Sequence, residues 1–300
     1  MNLPDLAELV ALRGSAHGLS LLARRPVLAR LQGAHRSAQR GRGLEFEEVR
    51  PYAAGDDARN IDWRVTARRG RPHTKLFREE RERPVWLLAD LHPGLYFGSR
   101  LQFKSALLLR AAALLAWVAV QGGDRLGALI GDGRSPLRVF PPRAREAGVL
   151  PVLEALVEAQ PRGPGQPEPG NLAASLDALR PLLQPGSLVL VLSDFAGLEP
   201  PAEAALAGLA RHGDCRLLWL TDPLESGGLP AGSFRVGLPG RLWWLDGERN
   251  RSTWRDTWAE RERRLDALAR RLDLPLIRLE TQDPVAESLP PLLREPAWAA

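Results

Sequence analysis

From Pro84 onward the chain alternates short apolar runs with longer stretches of helical periodicity, and three of the runs close on an acid. PVWLLAD ends at Asp90, SLVLVLSD at Asp194 and CRLLWLTD at Asp222. An apolar run without polar alternation marks a strand buried on both faces. Such strands need helices above and below them. The intervening stretches supply these: helices over about 101–121 and 143–159, NLAASLDALRPLL, PAEAALAGLARHG, and a charged helix over about 249–272. DRLGALIG adds a strand with SPLRVF as its hairpin partner, LPLIRLE is the last core strand, and 284–294 reads as a closing helix. This order predicts a doubly wound α/β domain over 84–300, with a mostly parallel sheet and right-handed crossovers. Ligands on such sheets bind beyond the carboxyl ends of the strands, where Asp90, Asp194 and Asp222 fall.

Residues 1–83 read as a separate, small α+β module. Leucine spacing predicts helices over 3–12 and about 18–32. Leu44–Arg50 reads as an edge strand and Thr74–Phe77 as a second, with a short helix between them, capped by Asp56 or Asp57 and running through Arg68. The module holds 17 Lys/Arg against 11 Asp/Glu, so the excess behind the net charge of +5 lies wholly here. Interleaved with acids and without a recognition motif, it predicts no sequence-specific nucleic-acid binding.

The single Cys215 excludes an intrachain disulfide and a multi-cysteine zinc site. Ala111–Val120, the longest apolar run that matters, is half the roughly 20 residues of a spanning helix. No basic leader precedes an apolar core at the start. The expectation is a soluble, cytoplasmic protein with no membrane span.

Gly98 to Ser105 has the spacing of a phosphate-binding loop, but Phe103 stands where the second glycine lets backbone amides reach the phosphates. That substitution argues against a nucleotide site. The acids at the strand ends are candidate ligands for a divalent cation, or caps for the following helices.

The segment from Glu45 to Arg68, within the first region, is the most patterned of the chain. Glu45, Phe46, Arg50, Tyr52, Gly55, Asp56, Asp57, Arg59, Ile61, Asp62, Trp63, Thr66, Ala67 and Arg68 follow in close order. This set resembles the signature of the bacterial family known as domain of unknown function 58, and the likeness runs from about residue 33 to beyond 200. The resemblance implies a fold of von Willebrand factor A (Rossmann-like) type and a MoxR-type AAA+ ATPase as partner, with no established enzymatic activity. That fold often carries a metal-ion-dependent adhesion site of the form Asp-x-Ser-x-Ser, with a threonine and an aspartate from two further loops. Here the first loop reads Asp90-Leu91-His92-Pro93-Gly94, the threonine position falls near Gly170 beside Asn171, and the third loop keeps Asp194. Both hydroxyls are replaced, by His92 and Gly94. The resemblance therefore implies a degenerate site that holds magnesium weakly if at all, with Asp90, His92 and Asp194 as its remnants; His92 would suit a softer metal such as zinc.

Two physical readings of the signature stand side by side. Its alternating charges and aromatics clamp the module onto the core, or they face a partner. A clamp predicts losses of roughly 3–5 kcal/mol for Asp62→Ala or Arg59→Ala and for Trp63→Ala. Trp243, Trp244, Trp254 and Trp258 read as core. The functional expectation is a non-enzymatic adaptor or assembly factor without a required cofactor. The alternative is a divalent-metal-dependent hydrolase around Asp90 and Asp194, with His92 as the nearby base.

Overall fold

The computed structural model describes residues 2–21, 44–53, 58, 61–79, 82–165, 171–238 and 241–294. The chain divides into two units, residues 28–82 and residues 1–27 with 83–300. α1 (Leu6–Ala11) and β1 (Ser20–Leu21) begin the larger unit; β2 (Leu44–Pro51), α2 (Trp63–Arg69) and β3 (His73–Glu79) form the smaller. The larger resumes with β4 (Pro84–Asp90), α3 (Lys104–Gln121), β5 (Arg125–Gly131), β6 (Arg138–Arg143), α4 (Glu146–Ala159), α5 (Asn171–Leu179), β7 (Leu188–Ser193), α6 (Pro200–His212) and β8 (Asp214–Thr221). Then follow α7 (Pro223–Gly227), β9 (Ser233–Leu238), β10 (Arg241–Asp246), α8 (Gly247–Arg271), β11 (Leu276–Glu280), α9 (Val285–Ser288) and β12 (Leu293–Arg294).

Six strands make the central sheet in the order β11-β8-β7-β4-β5-β6. All neighbours are parallel except β6, which runs antiparallel to β5 as its hairpin partner. Successive side chains of a strand point to opposite faces, and the core divides accordingly. Val85, Leu87 and Ala89 pack with α3 and α4, while Trp86 and Leu88 pack with α5, α6 and α8. The strands are unbroken apolar runs because both faces are covered. α3 is apolar nearly all round for the same reason. It is long and apolar enough to cross a membrane, and 83% of it is buried inside the fold.

After β4 the chain builds β5 and β6 on one side, then returns to place β7 on the other. The sheet's switch point therefore lies between β4 and β7, whose carboxyl ends carry Asp90 and Asp194.

Three expectations for the larger unit change. The N-terminal segment belongs to the larger unit rather than to a module over 1–83. Leu9 and Ala16 are fully buried in its core, and Trp117 Nε1–H donates to the Leu9 carbonyl at 3.1 Å. Leucine spacing reveals an apolar face but not which core receives it. Within the expected helix at 18–32, Ser20–Leu21 is instead a strand antiparallel to β12, and the rest lies outside the described residues. The closing helix is cut to α9, a 3₁₀ turn over Pro290–Leu292, and β12. Pro290 and Pro291 lack the N–H groups that would continue the helix.

In the smaller unit β2 and β3 pair antiparallel, with an irregularity between Phe46 and Glu48. α2 begins at Trp63, later than expected, because the Asp62 carboxylate accepts from the N–H groups of Arg64 and Val65 and so sets the helix start. Ile61 is not helical; it bridges to Thr74. The helix stops at Gly70, whose φ of 67° is the left-handed conformation glycine adopts freely. Thr66 Oγ1 accepts the His73 N–H at 3.0 Å, tying the helix to the next strand.

Candidate functional site

The turn after β7 aims Asp194. Phe195 holds a φ of 54°, costly for a non-glycine residue. It is fixed by its N–H to Ser193 Oγ at 2.8 Å and by the Ala196 N–H to Asp194 Oδ1 at 2.9 Å. The loop after β4 supplies His92, which caps a 3₁₀ turn by accepting the Gly94 N–H on Nδ1 at 3.1 Å. With Nδ1 an acceptor, Nε2–H donates to Asp194 Oδ1, 3.1 Å away. The N-terminus of α3 supplies Lys104, whose ammonium lies 2.8 Å from Asp194 Oδ2 and 2.8 Å from Glu225 Oε1. Arg261 of α8 donates to the Asp194 carbonyl and stands 3.5 Å from its carboxylate.

Asp90, one strand over, accepts from Ser193 Oγ at 2.6 Å and from Asn171 Nδ2 at 3.1 Å. Asp222 meets this cluster only through its backbone N–H, which donates to Glu225 Oε2 at 3.0 Å. Its carboxylate accepts from Ser99 N–H, Ser99 Oγ–H, Thr281 Oγ1–H and the Leu224 N–H, so it caps α7 and joins three loops.

The charges follow the geometry. Burial opposes ionisation of Asp194, yet Lys104, the His92 hydrogen bond and Arg261 hold its carboxyl well below the usual range. Burial raises Asp90 despite His92 and Ser193, and raises Glu225 despite Lys104. Burial would lower Lys104, but Asp194 and Glu225 outweigh it and the amine is held above its ordinary value. Burial likewise lowers His92, and Asp194 and Asp90 reverse the shift upward. Protonating Nδ1 would forfeit the Gly94 bond, so a charged His92 must reopen its own loop.

A group with a depressed folded pKa stabilises above its unfolded value and loses that contribution as pH falls. For Asp194 the loss begins below about pH 4, near the unfolded carboxylate value. Asp194→Asn is therefore expected to be clearly less stable than wild type at neutral pH, with the gap narrowing below about pH 4. Denaturation midpoints across that range check it; a constant gap would contradict the ionic account.

A magnesium site does not fit these residues. Asp194 spends both oxygens on Lys104, His92 and Ala196, and Asp90 spends both on Ser193 and Asn171. Among the described residues no group of three His, Cys, Asp or Glu is placed to hold a metal ion. The Gly170 position lies outside the described residues.

The run from Gly98 to Ser105 forms no phosphate cradle. A Cβ on Gly98 would meet the Gln102 carbonyl oxygen at 2.2 Å, so the glycine serves a tight loop, and Phe103 stacks on Tyr96 with ring centroids 4.3 Å apart. A lysine is no part of a metal-ligand pattern, which is made of anions and imidazoles, so such a pattern does not point to Lys104. Its signal was rarity: it and Lys75 are the only lysines in a chain with 39 arginines. Cys215 is buried and its thiol is pushed up to about 12, an inert group.

The signature splits. Asp62 and Thr66 build local turns, and Arg50 donates to the Pro51 carbonyl at 3.1 Å. Tyr52 is half-buried, Arg68 is exposed, and Trp63 is 70% exposed, outside the packing of its own unit. Gly55, Asp56, Asp57 and Arg59 lie outside the described residues, as do the side chains of Glu45 and Phe46. Of the four clustered tryptophans, Trp258 is buried against Trp219 and Trp254 donates to the Leu224 carbonyl. Trp243 and Trp244 stand out on the β9–β10 hairpin, 45% and 75% exposed, so the core reading fails for both.

These features define a doubly wound α/β protein with an ionic centre at its switch point and a second, small α+β unit. The chain belongs to the family described as protein of unknown function DUF58, whose model matches residues 48–290. Uncharacterized proteins of Mycobacterium bovis and Mycobacterium tuberculosis are each 36% identical over 182 residues, which are 61% of this chain and 56% of theirs. The chain thus spans about half the length of these curated relatives. A crystal structure of an aerotolerance-related membrane protein from Bacteroides fragilis is 14% identical with a TM-score of 0.45, covering 70% of this chain and 96% of that one. An uncharacterized membrane spanning protein from Vibrio fischeri is 15% identical with a TM-score of 0.23, covering 67% and 92%. At these values neither neighbour informs the fold.

Proposed function

We propose that this chain is a non-enzymatic, cytoplasmic adaptor or assembly factor of von Willebrand A type that works with a MoxR-type AAA+ ATPase. The observation that carries this reading is the self-sufficiency of the strand-end centre. Asp90, His92, Lys104 and Asp194 are each at most 3% exposed, and each is bonded to another protein group. A hydrolase needs a base or nucleophile that can reach substrate, and His92 has both ring nitrogens engaged. The strand order supports the A-type fold: counted from β4, the sheet runs third, second, first, fourth, fifth, sixth. The ATPase partner rests on the family resemblance. Exposed tryptophans on each unit, Trp63 and Trp244, are the residue type that anchors protein interfaces.

Affinity purification from the native host tests the proposal. An AAA+ ATPase is expected to co-elute with wild type and to be depleted by Trp63→Ala or Trp244→Ala in normally folded protein. Absence of any such ATPase counts against the adaptor reading. A divalent-metal-dependent hydrolytic turnover abolished by Asp90→Asn would favour the hydrolase instead.

A further inference from the structure

Lys104 is built into its place more thoroughly than a helix-start lysine requires. Its backbone N–H donates to the Phe97 carbonyl at 2.7 Å, closing the loop that the tight approach at Gly98 permits. Its ammonium then points inward, 2.8 Å from a carboxylate on each side and 5.6 Å from the centroid of the Phe97 ring. Two anionic oxygens and an aromatic face are what a compact cation wants. A planar guanidinium is a poor substitute for a point charge in such an enclosure, which accounts for a lysine in a chain that otherwise relies on arginine.

We infer that Lys104 is a tethered cation that does the work of a divalent metal, joining the β7 loop through Asp194 to the β8 loop through Glu225 so that the centre requires no ion. This rests on reading the centre as a degenerate adhesion site. The first loop's lack of hydroxyls and the internal ammonium then go together: a centre held by Lys104 has no need of ligands for an ion. Lys104→Met keeps much of the side chain's length and removes its charge. The variant leaves the carboxylates of Asp194 and Glu225 facing each other across the vacated position, hard oxygens of the kind that take manganese or magnesium, with the His92 imidazole alongside.

The test is manganese titration, by calorimetry and by thermal melting, of the full chain and of Lys104→Met. Wild type is expected to bind no manganese more tightly than millimolar and to melt identically with and without chelator. Lys104→Met is expected to gain at least roughly tenfold in manganese affinity, to be stabilised by millimolar manganese, and to lose both gains when Asp194→Asn is added. Micromolar binding by wild type, or a folded Lys104→Met that binds no better than wild type, overturns the inference. Should Lys104→Met fail to fold in plain buffer, recovery on refolding with manganese supports it and no recovery contradicts it. Co-elution of the ATPase is a separate readout, so failure of the metal test leaves the adaptor reading to its own experiment.

Discussion

Lys104→Met is expected to destabilise the larger unit by roughly 3–5 kcal/mol, the cost of breaking a buried ion pair by removing one partner. The magnitude comes from what remains. Asp194 is 3% exposed, so its carboxylate cannot turn to water when the ammonium goes, and the half-buried Glu225 beside it adds a like charge. His92 and Arg261 still serve Asp194, which keeps the loss from exceeding that range. The pH dependence has a definite sign. A lysine with a raised folded pKa stabilises below its unfolded value and loses that contribution as pH rises through the folded one. The gap between wild type and variant should persist across neutral pH and shrink only above about pH 10.4. The control is Arg13→Ala, which removes an ion pair to Glu146 whose side chains are more than half exposed; it should cost about 0–1 kcal/mol. Urea denaturation of the two variants decides. Equal, small shifts would mean that the centre is wetter and looser than its geometry implies.

Much of the larger unit was legible because burial on both faces leaves a plain trace. Leu188–Ser193 and Arg216–Thr221 have few polar residues because they have no solvent face, and a strand between two helical layers is the arrangement that requires this. The β5–β6 hairpin was readable from chain proximity alone. What failed was docking. The spacing of Leu6 and Leu9 says helix, but the burial of Leu9 against α3 is a long-range fact with no local signature. The strand at Ser20–Leu21 is set by its partner at Leu293–Arg294, more than 270 residues away in sequence.

The centre was half legible. Strand-end position located Asp90 and Asp194, and the missing hydroxyls already weakened the metal reading. Asp222, at an equivalent position, proved to be a cap joining Ser99, Leu224 and Thr281. Nothing in the pattern distinguishes the two outcomes, since an acid after a strand precedes a helix start in either case. Lys104 and Glu225 were missed for a different reason. They come from a helix start and from the first turn of a short helix, and only the folded sheet brings them to Asp194.

The tryptophans give the second large effect. Trp219 lies on β8 at 2% exposure, stacked on Trp258 with ring centroids 5.3 Å apart and planes 10° from parallel. The Arg278 guanidinium sits 5.3 Å from its ring centroid on β11. This one side chain therefore joins the sheet to α8, and its truncation leaves a large void that rigid strands and a long helix cannot close. Trp219→Ala is expected to cost roughly 3–5 kcal/mol. Trp219→Phe should recover part of that loss, because it retains a stacking ring and removes an indole N–H that has no hydrogen-bond partner among the described residues. Trp63→Ala, from a side chain 70% exposed, should stay within about 0.5 kcal/mol of wild type. The comparison tests more than packing. If Trp63→Ala costs as much as Trp219→Ala, the signature is a structural clamp after all, and its tryptophan is not available to a partner. If it costs nothing and the co-eluting ATPase is lost, the same residue type divides its work between the two units: Trp219 holds the sheet to its helix, and Trp63 meets the partner.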